Sequence, residues 1–216
     1  MNDHIRRSGR FFLVIAAAIF GFGFTGAWTG AMILLVTLLG LPVLLIALLV
    51  GTVVFTSRGV RLAWTGKLPV MGRVLAGLTA PAMLALFLLL ASSIMWAGSW
   101  AGTASRMLIN QDRYETIIEN ARRGVRSPSS ASAFEESGGI AYIVDPGPPV
   151  RVAFNPEGLL DNWSGIVFDP TSEVMAADGW DETGAFRAPA RITQLFGGDL
   201  VRCRRLWDDF FSCSFT

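Results

Sequence analysis

The sequence predicts an α-helical membrane bundle of three transmembrane helices, followed by a small α+β domain, mainly antiparallel β, outside the cytoplasm. Three observations lead to this fold class. Residues 31–55 form a run of twenty-five residues without a charge, longer than the roughly 20 apolar residues that cross a bilayer. The first half of the chain is basic and the second half is acidic. After residue 140, short apolar runs alternate with turns rich in Pro, Gly and Asp, which is typical of antiparallel sheets.

Two uncharged tracts carry the membrane prediction. The first, residues 11–57, is long enough for two spans and a tight turn, and the second, residues 74–105, is long enough for one. We expect helices near residues 11–28, 32–55 and 75–98, because only a helix satisfies its own backbone hydrogen bonds in lipid. The first tract continues beyond the ~7–15 apolar residues of a cleaved signal peptide, which predicts an uncleaved anchor.

The charges divide the chain into a basic part and an acidic part. The chain holds 18 basic residues and 17 acidic ones. Seven of the bases but only one of the acids, Asp3, fall within residues 1–99, which leaves eleven bases and sixteen acids for the remainder. An acidic second half argues against a nucleic-acid partner, because the phosphates of nucleic acids require a basic surface.

The basic residues also predict the orientation in the membrane. They form two clusters, one at residues 6–10 and one in the loop 57–73, and basic residues near short loops stay on the cytoplasmic side. Both clusters share that side if the first two helices form a hairpin, so that the third helix exports the C-terminal domain. Trp28, Trp96 and Trp100 then fall at the outer interface, where an aromatic belt is expected. The prediction is a multi-pass protein with a cytoplasmic N-terminus and the lipid bilayer as a partner.

Four glycines in the first helix, Gly21, Gly23, Gly26 and Gly30, match both G-x-G-x-x-G and G-x-x-x-G. A dinucleotide fingerprint needs a preceding strand, which a helix inside a bilayer excludes. We predict instead that these small residues let helices approach closely. No acid, base or histidine lies in the predicted spans, and pumps and coupled transporters depend on such residues.

The predicted segments are a cytoplasmic tail (1–10), a three-helix transmembrane region (11–100), an amphipathic helix with a mobile linker (101–139) and a β-rich extracytoplasmic domain (140–216). In the third segment, Asp112 is the predicted N-cap of a helix, with Glu115 completing a capping box. Residues with helical spacing follow it, before a stop at Gly124: Tyr114, Ile117, Ile118 and Ala121. Residues 126–139 lack periodicity and are predicted as a mobile loop.

The β-rich domain is predicted to contain three pairs of short strands that flank turns. The pairs are 140–144 with 150–154, 165–168 with 173–177, and 201–206 with 210–215. A domain of about 75 residues has a small core. We therefore expect it to need a covalent staple or the support of the membrane bundle.

A disulfide between Cys203 and Cys213 is the predicted staple. The two cysteines lie symmetrically about Asp208, the centre of a predicted three-residue turn. The opposed pairs in this hairpin are then Leu206 with Phe210, Arg204 with Ser212, and Cys203 with Cys213. Facing Cα atoms in such a pair lie ~4.5 Å apart, near the short end of disulfide geometry. Export would supply the oxidising compartment in which disulfides persist.

Side chains that commonly serve in catalysis are scarce in the exported part. The only histidine, His4, and the only lysine, Lys67, are both on the cytoplasmic side of the predicted topology. A Ser-His-Asp triad, a Ser-Lys dyad and a histidine-based zinc site are thereby excluded within one chain. We predict no catalytic residue, no metal site and no cofactor.

Carboxylates are the remaining candidates. Asp161 and Asp169 would flank a surface cleft if their turns meet, with Trp163 as a platform for a sugar ring, and a glycosidase needs two carboxyl groups ~5–9 Å apart. Aspartate also favours turns because it bonds its own backbone, and we prefer this explanation. The stretch 178–184, DGWDETG, lacks the ligand spacing of an EF-hand, which argues against a calcium site.

Residues 161–165 (DNWSG), 196–203 (FGGDLVRC) and 213–216 (CSFT) resemble an uncharacterised family of small bacterial inner-membrane proteins. The resemblance implies a bacterial inner membrane and no particular activity. We expect a binding, sensing or assembly module without catalytic activity, working with a membrane or envelope protein partner or as a homo-oligomer. Two alternatives stay open: a carboxylate-dependent hydrolase of envelope glycan, and a subunit of an oligomeric pore or transporter.

Overall fold

The computed structural model describes residues 2–29, 32–66, 68–124, 135–159 and 162–216. The chain divides into two compact units, residues 1–102 and 103–216, which we call the helical unit and the sheet unit. The helical unit holds α1 (Asn2–Thr29), α2 (Met32–Thr65) and most of α3 (Val70–Ile109). Each of these helices is long and apolar enough to cross a membrane. By length and composition, the prediction of three apolar helices is therefore confirmed.

All three helices are longer than predicted, because their basic flanks are helical and because α3 continues past the predicted end at residue 98 to Ile109. The tail predicted at residues 1–10 is part of α1, and most of the loop predicted at 57–73 belongs to the ends of α2 and α3. Arginine is a good helix former, so a cluster of arginines does not end a helix. The chain reverses around Gly66 and Pro69, two residue types that favour turns. His4 is accordingly a half-buried residue of α1, not part of a free tail.

Glycines allow the helices of the helical unit to approach closely. A Cβ added at Gly23 would collide with the backbone of α3, and one added at Gly98 would collide with the backbone of α1. Close packing through a small residue is therefore observed at Gly23. The other predicted glycines differ: Gly26 is partly buried, an added Cβ at Gly21 would meet nothing within 4 Å, and Gly30 lies outside the described residues.

The two ends of the helical unit differ in chemistry. The ring of His4, near the start of α1, lies 6.4 Å from the ring of Phe55, near the end of α2, so these two helices are antiparallel. The predicted interfacial tryptophans lie away from this end: Trp28, Trp96 and Trp100 are 38%, 49% and 43% exposed. Their exposure is compatible with the predicted aromatic belt.

The sheet unit begins with the last turns of α3 and packs helices against one antiparallel sheet. Its further helices are α4 (Gln111–Arg122), a 3₁₀ helix (Glu173–Ala176) and α5 (Ala190–Thr193). Its strands are β1 (Glu135–Ser137), β2 (Ile140–Asp145), β3 (Arg151–Leu159), β4 (Asn162–Phe168), β5 (Gln194–Leu195), β6 (Gly198–Trp207) and β7 (Phe210–Phe215). Among the described residues these form a single sheet in the order β1-β2-β3-β4-β7-β6-β5. The prediction of a mainly antiparallel domain is confirmed.

Both faces of the central strands are buried. In β4, Ile166, Val167 and Phe168 are all buried, although neighbouring side chains in a strand point to opposite faces. Ile166 and Phe168 pack in a cluster with the α4 stripe, whereas Val167 packs in a second cluster with Val174 of the 3₁₀ helix and Ile192 of α5. Two small cores on either side of one sheet therefore hold this unit together.

The segment predicted as a strand at 173–177 is a 3₁₀ helix instead. The carboxylate of Asp169 accepts hydrogen bonds from the backbone amides of Thr171 and Val174, and Ser172 adopts a positive φ of 59°. These bonds curl the chain into a turn, because a short polar side chain that satisfies nearby amides competes with strand pairing.

Two predictions before the sheet also need correction. Asp112 is not the N-cap of α4: Asn110 holds that position, without a side-chain capping bond, because the chain is already helical as far as Ile109 in α3. The loop predicted at 126–139 contains β1, which pairs with β2, and its residues 126–134 lie outside the described residues. The apolar stripe of α4 is buried as predicted.

Candidate functional site

Two β-bulges bring polar residues onto one face of the sheet. In β3 the register shifts between Phe154 and Glu157, so Glu157 points to the same face as Phe154, although an odd spacing would place them on opposite faces. In β6 the register shifts between Leu200 and Arg202, so Arg202 points away from the face of Leu200. A bulge re-aims the side chains that follow it, because strand side chains otherwise alternate.

The bulge in β3 is anchored to α4. Asn155 lies within it at a positive φ of 48°, and its side-chain amide donates a 2.6 Å hydrogen bond to the hydroxyl of Tyr114. The ring of Tyr114 stacks on Phe154 with centroids 4.2 Å apart. Burial of this tyrosine raises its pKa to about 12, against the opposing effects of Arg106 and the Asn155 hydrogen bond. The buried phenol thus supports the bulge as a neutral group.

The two bulged residues complete a polar row across four strands. Glu157 of β3 lies opposite Ser164 of β4, Ser164 lies opposite Ser214 of β7, and Ser214 lies opposite Arg202 of β6. Directly opposed residues of an antiparallel pair share one face. The row therefore places two charged side chains at its ends and two hydroxyls between them.

An exposed tryptophan is held beside this row by the second bulge. The carbonyl of Val201, the extra residue in β6, accepts a 2.7 Å hydrogen bond from the amide of Gly179. This bond docks residues 178–187 against the sheet, and within them Trp180 pairs with Phe186 at a centroid distance of 5.7 Å. The Trp180 side chain is 53% exposed, so its indole is available for contact.

We call the resulting depression the tryptophan groove. Its volume is about 340 Å³. It is lined by Glu157, Gly158, Asn162, Trp163, Ser164, Trp180, Val201, Ser214 and Phe215. A neighbouring depression of about 460 Å³ shares Trp180, Val201 and Ser214 and adds Asp178 and Arg202. The groove therefore combines the exposed indole of Trp180 with hydroxyl, amide and charged groups, which is the composition of a recognition surface.

The charged side chains of the groove and of the neighbouring depression are neutralised in pairs. Glu157 accepts a 2.7 Å hydrogen bond from Arg106, a pair whose side chains are 30% and 18% exposed. Arg202 lies 3.2 Å from Asp178, at 50% and 72% exposure. The second pair is a surface ion pair of small energetic value.

The structure confirms the preferred explanation of Asp169 as a turn residue that bonds its own backbone, but it corrects the predicted position of this residue at the surface. This side chain is completely buried and accepts hydrogen bonds from the Thr171 amide, the Thr171 hydroxyl and the Val174 amide, and from Nε of Arg151 at 3.1 Å. Burial would raise the pKa of Asp169, but the bonds from Thr171 and Val174 and the charge of Arg151 together lower it below the usual value. Asp169 is a buried structural carboxylate.

Arg151 connects three carboxylates around this position. Beside Asp169, it donates a 2.8 Å bond to Glu173 and lies 3.7 Å from Asp145. Glu173 in turn is bound by Arg191 at 2.9 Å, and the hydrogen bond from Arg191 is the main reason why the pKa of Glu173 is lowered. The network ties β3 to the 3₁₀ helix and α5, so its function is to hold the second core in place.

Two of the three predicted cleft residues, Trp163 and Asp169, do not lie together. Trp163 lies near the start of β4 and Asp169 directly after its end, which separates them by about 20 Å at ~3.3 Å per residue. Trp163 stacks on Phe215 with centroids 3.9 Å apart and contributes to the tryptophan groove. Asp161 lies outside the described residues. The prediction thus identified one groove residue, but for a site with the wrong partners.

The acidic stretch 178–184 forms a turn, in which the carboxylate of Asp181 is bound by nearby groups of the same segment. Oδ1 of Asp181 accepts hydrogen bonds from the amide and the hydroxyl of Thr183 and from the amide of Ala185. The hydrogen bonds to Thr183 and Ala185 lower the pKa of Asp181. Among the described residues, no group of three or more His, Cys, Asp or Glu side chains could hold a metal ion.

The structure joins Cys203 to Cys213 by a disulfide, with a Cα–Cα distance of 4.1 Å. The expected pairing of Arg204 with Ser212 is also observed. The register then shifts, so Trp207 rather than Leu206 lies opposite Phe210. The turn is therefore shorter than predicted, and Asp208 takes a positive φ of 46°, a conformation that Asp tolerates.

Sequence reasoning missed Glu157, Trp180 and Arg202 as members of one site. These residues come from three separate segments, and the two bulges that bring them together depend on pairing across the sheet. A signal for Trp180 was present, because an aromatic residue inside a turn rich in Gly and Asp is out of place unless it contacts something. A comparison of the chain with protein-family models, curated proteins and solved structures found no match.

Proposed function

We propose that this protein is a multi-pass protein of a bacterial inner membrane, with a cytoplasmic N-terminus and an exported sheet unit. The proposal is supported by three helices of sufficient length and apolarity and by arginines at one end of the helical unit, with Trp28, Trp96 and Trp100 away from that end. Because bases stay on the cytoplasmic side, three passes put the C-terminus outside. The disulfide fits an oxidising compartment.

The sheet unit is a non-catalytic binding module whose binding surface is the tryptophan groove. The observation that carries this function is the pair of β-bulges, which turn Glu157 and Arg202 onto one face beside Trp180. Bulges are enriched next to functional sites, where they re-aim side chains. Trp and Arg are the residue types that dominate binding energy at protein interfaces. The partner is an envelope or membrane protein, for which the helices hold the module at the membrane.

The hydrolase alternative is less well supported by the same geometry. Asp169 is buried and bound to Arg151, and within the described part of the chain Glu157 is the one carboxylate that lines the groove. A glycosidase needs a second carboxyl group ~5–9 Å away. The neighbouring Asp178 is held against Arg202 in a surface ion pair and does not line the groove.

Site-specific photo-cross-linking in intact cells tests the binding function. A photoreactive residue at Trp180 should yield a defined adduct with one envelope protein. The same residue at Trp207, which is 63% exposed at the end of β6 and does not line the groove, should not. Trp180→Ala should reduce co-purification of that partner by about tenfold, or ~1.4 kcal/mol, and Trp207→Ala should leave it unchanged. Equal adducts at both positions would remove the groove as the binding surface.

Two further measurements test the membrane location and the hydrolase alternative independently of the binding function. Reporter fusions at Lys67 should be active only in the cytoplasm, and fusions after Thr216 only outside. A cytoplasmic C-terminal reporter would contradict the exported module. Hydrolysis of envelope glycan by the purified protein, lost in Glu157→Gln at unchanged thermal stability, would favour the hydrolase instead.

A further inference from the structure

The end of the helical unit at which α1 begins is strongly basic. α1 begins, α2 ends and α3 begins there, since His4 of α1 and Ala76 of α3 both lie against Gly59 of α2. All the arginines of the helical unit belong to these segments and are exposed: Arg6, Arg7, Arg10, Arg58, Arg61 and Arg73. Asp3 is the only acidic residue before Asp112. The excess positive charge therefore has no counterpart within the helical unit.

A surface groove on α2 leads away from this basic end. It has a volume of about 640 Å³ and is lined by Thr52, Val53, Thr56, Ser57, Val60, Arg61 and Trp64. These residues recur at intervals of three and four, so they form one face of the helix. At a rise of ~1.5 Å per residue, the face is about 18 Å long. We call it the α2 groove.

The α2 groove changes character along its length. Val53 and Val60 are 66% and 42% exposed, and Trp64 at the basic end is 86% exposed. The hydroxyls of Thr52 and Ser57 donate to the carbonyls of Leu48 and Val53 in their own helix. Because those hydroxyls already donate to the carbonyls of their own helix, they do not need a polar ligand. That part of the groove therefore suits a hydrocarbon chain.

The basic end supplies the opposite chemistry. Within the described residues, neither Arg58 nor Arg61 forms a salt bridge. Arg61 lines the groove, and Arg58 lies one turn before it on the same helix, where residues three apart are neighbours. Guanidinium groups bind phosphate through two parallel hydrogen bonds. Tryptophan favours the level of the lipid headgroups, which suits the exposed indole of Trp64.

We propose that the α2 groove binds one anionic phospholipid, with its phosphate on Arg61 and Arg58 and an acyl chain along Val60 and Val53. This inference rests on the proposed membrane location, but it goes beyond a general attraction of basic residues for an acidic leaflet. The charge and the apolar face are continuous on one helix, so a single molecule with an anionic head and a hydrocarbon tail satisfies both.

Native mass spectrometry of the full chain, released from detergent with added phosphatidylglycerol or phosphatidylcholine, tests the site. One phosphatidylglycerol should be retained per chain, and phosphatidylcholine should be retained far less. Arg61→Gln should weaken this retention about fivefold, which corresponds to the ~1 kcal/mol of one basic residue near an anionic headgroup. Arg6→Gln removes the same charge at the same end of the helical unit, outside the groove, and should leave retention unchanged.

A charge-neutral variant keeps the proposal testable if Arg61→Gln misfolds. Val60→Trp fills the groove without altering any charge and should reduce retention of phosphatidylglycerol to the level of phosphatidylcholine. Equal weakening by Arg6→Gln and Arg61→Gln would overturn the site in favour of diffuse attraction, as would unchanged retention in Val60→Trp. The reporter fusions test the membrane location by themselves, so a failed lipid site and a failed location give different results.

Discussion

The helical unit and the sheet unit place their large apolar side chains in opposite environments. In the helical unit, Leu38, Val53 and Leu89 are 69%, 66% and 77% exposed. In the sheet unit, apolar side chains such as Phe154 and Phe211 are completely buried. Monomeric soluble proteins rarely expose large contiguous apolar patches, so this exposure is consistent with the proposed membrane location. Exposure of a large apolar residue is therefore common in the helical unit, whereas in the sheet unit it is unusual, as for Trp180 and Trp207.

Arginine substitutions should affect the two units very differently, and this is the largest expected effect. Leu86→Arg with Leu89→Arg places two charges on an exposed face of α3, at about 3 kcal/mol for each arginine near the centre of a membrane helix. We expect the amount of protein in carbonate-washed membranes to fall about tenfold or more. Met175→Arg with Trp207→Arg, at 44% and 63% exposure in the sheet unit, should leave it unchanged. Equal tolerance of both pairs would contradict the apolar environment of the helical unit.

The second prediction contrasts a buried ion pair with a surface pair in the sheet unit. Asp169→Asn leaves Arg151 buried with fewer partners, so the free energy of unfolding should fall by about 3 kcal/mol, near the low end for a broken buried pair because Glu173 still binds Arg151. Asp178→Asn breaks the exposed pair with Arg202 and should cost less than ~1 kcal/mol. Thermal unfolding followed by near-ultraviolet circular dichroism measures both. A larger loss for Asp178→Asn would reverse the assignment of Asp169 as the structural carboxylate.

Acid should reveal how much the ionised carboxylate of Asp169 contributes to stability. The pKa of Asp169 is lower in the folded protein than its ordinary value of 3.8, so the ionised carboxylate contributes stability above that value. This contribution is lost as the pH falls below about 4 and through the lowered pKa. The melting temperature of the wild type should therefore decrease more steeply below pH 4 than that of Asp169→Asn. Parallel curves for the two proteins would show that Asp169 does not govern acid stability.

The disulfide is the third and smallest effect, and it is confined to the sheet unit. Replacing Cys203 and Cys213 by serine removes a cross-link across a short loop, for which the chain-entropy model allows roughly 2–3 kcal/mol. We expect a lower melting temperature of the sheet unit and unchanged activity of the topology reporters. Mass spectrometry after alkylation without reduction should find both cysteines protected in the wild type. Complete alkylation would remove the bond and the support that it gives to export.

Much of this architecture follows from local patterns. The uncharged runs predict the three apolar helices, because the apolarity of a helix depends on composition alone. The stripe at Tyr114, Ile117 and Ile118 predicts the buried face of α4, and the spacing of Cys203 and Cys213 predicts their pairing. Each of these features depends on residues that are close together in the chain or share one periodicity.

Other features depended on the assembled sheet. The sequence around Asp169 is typical of a turn. Asp169 is buried because the pairing of β3 with β4 places it beside Arg151, eighteen positions earlier in the chain. The prediction placed Leu206 opposite Phe210, which is wrong because the pairing of β6 with β7 shifts near the end of β6. A one-residue shift changes the face of every following side chain, and no pattern in the local sequence predicts such a shift.

The tryptophan groove shows most clearly what only the tertiary structure decided. The sequence by itself determined that the chain contains three apolar helices, a disulfide-linked hairpin and an antiparallel domain with little catalytic chemistry. It did not determine that Glu157 and Arg202 lie on one face of the sheet, beside Trp180. Hydrophobic periodicity and turn propensity are local properties of the chain, whereas a groove is formed by residues from several strands. Two bulges set the face to which those residues point, and their position is decided by how the strands pair and how both cores pack.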